Sequence, residues 1–221
     1  MSTANWQGFW DGKTDGGHRS QEEAFLAKEA REKLFHIGEV ENLLDFGCGS
    51  GDLTKYYADA IPRVVGADFS ETMLAGARKR LPNVPLHCAD DVTIWSKLTE
   101  TFDVITVAGV LQYMKLWQAE RFVGNARAHL APGGRIVLFD IIDPRIYALV
   151  EMGLFPDKSF PSPRGFASAA VNALFPSRRT IGYPHHPRDV KAAAASVGFA
   201  TEIVWSMFYE YRYHAICQPV A

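Results

Sequence analysis

The stretch Leu43-Leu44-Asp45-Phe46-Gly47-Cys48-Gly49-Ser50-Gly51-Asp52-Leu53 decides how this chain is read. A short apolar run leads into three alternating glycines, and Leu53, Tyr56, Tyr57 and Ala60 then recur at helical spacing. That is strand, turn, helix. A glycine turn in this place lets backbone N–H groups approach a ligand with no side chain between them, and the start of the following helix adds positive potential. The dinucleotide fingerprint needs its third glycine at position 52, where this chain has Asp52, so the pattern is G-x-G-x-G and weighs against a nicotinamide.

Outward from the turn, Arg63 to Asp68 gives a second strand, and Ser70 can cap a helix whose Met73, Leu74, Ala77 and Leu81 share a face. Asp68 closes that second strand, where a carboxylate can accept both hydroxyl hydrogens of a ribose. Val84 to Ala89 reads as a third strand and Phe102 to Val107 as a fourth, buried on both sides. A helix over 115–130 follows, and Pro132-Gly133-Gly134 turns the chain into a fifth strand, Arg135 to Asp140. Toward the start, Ser20 and Glu23 have capping-box spacing for a helix over 20–37. Toward the end come a helix opened by Pro187 and a hairpin of 199–209 with 211–218, turning near Glu210. Strands alternating with helices imply an α/β fold with a doubly wound, mostly parallel sheet, seven strands in all once the antiparallel hairpin is added. The expected organisation is one domain over 1–221, with a helical cap segment at 1–38 and a proline- and aromatic-rich insertion at 144–187 that reads as a substrate lid.

Of the 221 residues, 48% are hydrophobic, enough for one substantial core, and 23 Lys plus Arg stand against 25 Asp plus Glu. A net charge of -2 gives no general attraction to phosphate backbones, so nucleic acid is not expected as a partner. Cys48, Cys88 and Cys217 show no C-x-x-C spacing, which implies a reducing compartment and no structural zinc. There is no apolar leader and no run long enough to span a bilayer. The expectation is a cytoplasmic protein that does not engage membranes; its oligomeric state is not legible.

LLDFGCGSGDLT (43–54) followed by GADFSETML (66–74) resembles the signature of class I S-adenosylmethionine-dependent methyltransferases of the small-molecule type. The resemblance continues in order through HCADDV (87–92), FDVITVAGVLQYM (102–114) and LAPGGRIVLFD (130–140). It implies a Rossmann-like sheet and S-adenosylmethionine as cofactor. By position, Asp45, Gly47, Cys48, Gly49 and Gly51 would hold the methionine part, with Cys48 a small filler. Asp68 would bind the ribose, and Phe69 and Met73 would flank the adenine. Asp90, or its neighbour Asp91, would accept from the adenine amino group with the Val92 backbone beside the ring, Asp90 being favoured. Ala108, Gly109 and Val110 would leave space beside the sulfonium. Trp10, with Trp6 and Phe9, resembles the aromatic entry segment that relatives fold over the cofactor.

A sulfonium methyl is already activated, so transfer needs positioning and, where the nucleophile carries a proton, a base. Candidates are His185 and His186, since an imidazole can take a hydroxyl proton near neutral pH, and Tyr113 beyond the fourth strand. The alternative for the histidines is a polar loop end. Metal-dependent catechol enzymes of the family resemble one another in an acid after the fourth strand, where this chain has Ala108-Gly109, so no metal is expected. The Asn/Asp-Pro-Pro-Tyr/Phe motif of DNA and glutamine methyltransferases is also missing, leaving a small-molecule acceptor methylated on a hydroxyl, or on an amine. A cofactor-binding, non-catalytic partner subunit and a nicotinamide oxidoreductase stand as alternatives.

Overall fold

The computed structural model describes residues 22–151, 167 and 182–220. In chain order the elements are α1 (Glu23–Ile37), β1 (Asn42–Phe46), α2 (Thr54–Ala60), β2 (Arg63–Asp68), α3 (Glu71–Arg80), β3 (Leu86–Cys88), β4 (Phe102–Ala108), α4 (Leu116–Ala126), β5 (Leu130–Ile142), α5 (Pro144–Glu151), α6 (Pro187–Ser196), β6 (Phe199–Trp205) and β7 (Arg212–Pro219). Short 3-10 turns at Ile94–Ser96, Leu111–Tyr113 and Arg127–His129 link them.

The seven strands form one sheet in the order β3-β2-β1-β4-β5-β7-β6, parallel except where β7 pairs with β5 and β6. β1 and β4 lie side by side although two strands separate them in sequence, because the chain winds out through β2 and β3 and then returns. That reversal leaves a crevice past the carboxyl ends of β1 and β4, the place where open α/β sheets bind ligands. Both faces of the sheet are covered. Phe46, Ile105, Phe122, Leu138 and Ala194 pack on one side, and Ala30, Leu43, Tyr57, Val104 and Phe139 on the other.

Local chemistry sets most boundaries as the sequence predicts. Ser70 caps α3 by accepting from the Met73 N–H at 3.3 Å, and Gly38 ends α1 at a φ of 69°. Other boundaries move. α1 starts at Glu23 with Glu22 as N-cap and no side-chain cap; Ser20 lies outside the described residues. β3 is shorter than Val84 to Ala89, since Pro85 has no N–H to add to a ladder. β5 begins at Leu130, its pairing with β4 slipping between Phe102 and Val104 where Pro132-Gly133-Gly134 passes. The hairpin turn is wider than expected, running from Ser206 to Tyr211.

A buried ionic cluster fixes α1 to the sheet. Lys33 Nζ lies 3.0 Å from both Glu29 and Asp140, all with fully buried side chains. Asp140, at a φ of 60°, donates its backbone N–H to His214 Nδ1 at 3.1 Å. That bond leaves the His214 proton on Nε2, which faces Glu32 at 3.3 Å. Glu32 in turn accepts from the Met207 N–H. Glu32, His36 and His214 have ligating atoms within 4.8 Å of one another, but the His214 nitrogen turned toward them carries a proton rather than an open lone pair.

Candidate active site

The turn after β1 forms because three glycines take positive φ: 78° at Gly47, 55° at Gly49 and 81° at Gly51. At Gly47 a Cβ would also overlap the Val110 side chain, so the backbone comes as close to the strand end after β4 as packing allows. The Gly47 and Cys48 N–H groups both donate to the Ala67 carbonyl, at 2.7 and 3.0 Å, which binds the turn to β2. Asp45 sits beneath, accepting from the Thr54 hydroxyl at 2.7 Å and the Thr106 hydroxyl at 3.1 Å.

Asp68, at the end of β2, is 8% exposed. Its Oδ2 accepts from the Gly49 N–H and its Oδ1 from the Ser70 N–H, each at 2.9 Å. Burial raises its pKa above the ordinary carboxylate value, against the lowering effect of those N–H donors. Asp90 forms an Asx turn, its Oδ1 accepting from the Val92 and Thr93 N–H groups and the Thr93 hydroxyl. Asp91 is buried and paired with Arg121.

These residues line one cavity of about 390 Å³. Asp45, Gly47, Cys48, Gly49, Asp68, Phe69, Met73, Asp90, Asp91, Val92, Ala108, Gly109, Val110 and Tyr113 all reach it. Gly51 does not, since its place in the turn packs against Leu81. Trp10 lies outside the described residues, as does most of 144–187.

Neither histidine is among the described residues that line the cavity, and each has a structural partner of its own. His185 is 7% exposed, and its Nε2–H points at the Leu111 and Met114 carbonyls at 3.1 and 3.0 Å. Its backbone N–H donates to Ile142 and its carbonyl accepts from the Tyr213 hydroxyl, so it ties β5, β7 and the 3-10 turn of Tyr113 together. Burial lowers its pKa, only partly offset by those carbonyls. His186 is the N-cap of α6, its Nδ1 accepting from the Arg188 N–H. Conversely, Gln112, Trp117, Gln118, Arg121 and Arg212 line the cavity without having been singled out from the sequence. The polar Gln112 next to Tyr113, just past a largely apolar strand, is the one available signal.

Residues 44–136 match a protein family described as a methyltransferase domain. The trans-aconitate 2-methyltransferase of Variovorax paradoxus is 36% identical over 104 residues, 46% of this chain and 39% of that protein. A dTDP-4-amino-2,3,4,6-tetradeoxy-D-glucose N,N-dimethyltransferase of Saccharopolyspora spinosa is 33% identical over 137 residues, 61% of this chain and 48% of that protein. The matches thus span less than half the length of these relatives. Among solved structures, a DhpI-SAH complex has a TM-score of 0.68 at 18% identity, covering 98% of this chain and 96% of that one. Streptomyces venezuelae DesVI has a TM-score of 0.63 at 17% identity, covering 100% and 99%. These two likenesses concern the fold. This sheet order, this glycine turn and these matches support a class I S-adenosylmethionine-dependent methyltransferase, with the family match running over residues 44–136.

Proposed function

We propose that this chain transfers the methyl group of S-adenosylmethionine to a hydroxyl or an amine of a small-molecule metabolite, without a metal. One observation carries the reading: a single cavity runs from Asp68 and the glycine turn past Ala108 and Gly109 to Gln112 and Tyr113, leaving room for an acceptor beyond the cofactor. The residues fit the cofactor, because the glycines of the turn hold positive φ with backbone lining the cavity and Asp68 is a buried acceptor beside it. When bound, S-adenosylmethionine supplies an electrophilic methyl.

Asp68 takes the ribose hydroxyls, Phe69 and Met73 flank the adenine, and Asp90 with the Val92 backbone meets its edge. The glycine turn receives the methionine part. Ala108 and Gly109 keep side chains clear of the methyl, and Tyr113 orients the acceptor. Relatives named for an amino sugar and for trans-aconitate support an acceptor of metabolite size. The test is transfer of labelled methyl to fractionated metabolites, with and without chelator. Tight cofactor binding with no labelled product in any fraction would favour a non-catalytic subunit. Thermal stabilisation by NAD(H) rather than S-adenosylmethionine would favour an oxidoreductase.

A further inference from the structure

Arg212, the first residue of β7, is 5% exposed and lines the cavity. Its guanidinium lies over the rings of Tyr209 and Tyr211, 4.5 and 5.3 Å from their centroids. Its backbone N–H and carbonyl are satisfied by Tyr209 and Ser206. The side chain is not: among the described residues no carboxylate stands within ion-pair distance of it, and its Nε is buried with no acceptor. Two other cations differ, Lys33 facing Glu29 and Asp140, and Arg121 facing Asp91. A guanidinium taken out of water without an anion is costly, and two aromatic faces replace only part of its hydration.

A second group in the same cavity shows the same deficit. Gln112 is 5% exposed, its backbone carbonyl accepts from the Tyr183 N–H, and its Oε1 is buried with no donor. The sheet order separates these groups from the cofactor end. Asp68 closes β2, whereas Arg212 opens β7, four strands along, so strand spacing sets them roughly 19 Å apart.

We propose that Arg212 is the anion anchor of the acceptor subsite, and that the acceptor is an acidic metabolite carrying a carboxylate or phosphate. Gln112 accepts a hydrogen bond from an O–H or N–H of the same molecule. A planar guanidinium with its fork free matches either anion in bidentate fashion. This rests on the methyltransferase reading, which places the cofactor at the Asp68 end.

The test titrates citrate and inorganic phosphate onto protein saturated with S-adenosylhomocysteine, using wild type, R212M and R212K, with melting temperatures recorded. In parallel, metabolites are split by anion exchange before the labelled-methyl assay. At least one anion should bind wild type saturably, about tenfold or more weaker in R212M and less impaired in R212K. S-adenosylhomocysteine affinity should stay unchanged, and acceptor activity should be retained on the exchanger. Citrate against phosphate distinguishes the two anion types. The proposal is overturned if neither anion binds wild type, if R212M binds both equally well, or if acceptor activity appears only in the unretained fraction. A parallel loss of S-adenosylhomocysteine affinity in R212M assigns Arg212 to the cofactor and overturns it too. Should R212M not fold, R212Q takes its place. Wild type failing to bind S-adenosylhomocysteine refutes the methyltransferase reading itself, a result distinct from all of these.

Discussion

The carboxylate of Asp68 holds the backbone of Gly49: Oδ2 accepts from the Gly49 N–H at 2.9 Å, across the gap between the end of β2 and the turn after β1. The same carboxylate lines the cavity, so it both shapes the turn and meets what the turn holds. Replacing Asp68 by Ala should weaken S-adenosylmethionine binding tenfold or more, on the order of the 1.5–3 kcal/mol of a charge-assisted hydrogen bond. Calorimetric titration measures this directly. Unchanged affinity would refute the ribose assignment.

Gly47→Ala forces a side chain into a φ of 78° and against Val110. The left-handed conformation alone should cost about 1–2 kcal/mol, with the overlap adding to it. The double variant with Val110→Ala removes the overlap and leaves the backbone strain. It should therefore recover part of the lost melting temperature, and no recovery would mean that Val110 is not what limits the position.

His185 makes a pH-dependent contribution. Its folded pKa lies below the ordinary histidine value of 6.5 because of burial, and His36 is lowered in the same direction, first by burial and then by His214. The unfolded chain therefore binds more protons as pH falls through 6.5, and stability must decline there. Urea midpoints between pH 8 and pH 5 should show it. His185→Gln should flatten the decline without abolishing it, because His36 remains. Its turnover at pH 8 should fall only as far as the turn carrying Tyr113 is loosened; loss of all turnover with unchanged stability would return His185 to the chemistry.

Lys33→Met removes the buried ammonium that faces both Glu29 and Asp140. Breaking such a group from one side should destabilise by about 3–5 kcal/mol at neutral pH. The deficit should shrink at acid pH if lost charge compensation is its cause. A deficit independent of pH would assign the loss to packing instead.

Much of the fold is legible in the sequence because β1, β2 and β4 are short apolar runs buried on both faces, with turn residues at fixed places. The cavity's cofactor end is legible for the same reason, since Asp45 to Gly51 and Asp68 are brought together by neighbouring strands. What escapes depends on distant partners. A His-His pair between prolines reads as solvent-facing, but His185 finds its acceptors at Leu111 and Met114, on the far side of the sheet's winding. Arg212 reads as one more charge in a tyrosine-rich hairpin, and only the antiparallel pairing of β7 with β5 turns it inward. Lys33 belongs to a helix whose pattern marks Leu34 and Ile37 as its apolar face, and nothing local reveals an acid waiting at position 140.

Cys48 sits in the wall of a cavity built for a reagent that alkylates nucleophiles. A thiolate in that position would be a rival acceptor, and each self-methylation would be irreversible. Burial, followed by the negative charges of Asp45 and Asp68, raises the Cys48 pKa well above the ordinary thiol value. The sulfur therefore stays protonated and poorly nucleophilic. Burial, with the two acids that shape the cofactor turn adding to it, thus disfavours a thiolate beside the glycine turn.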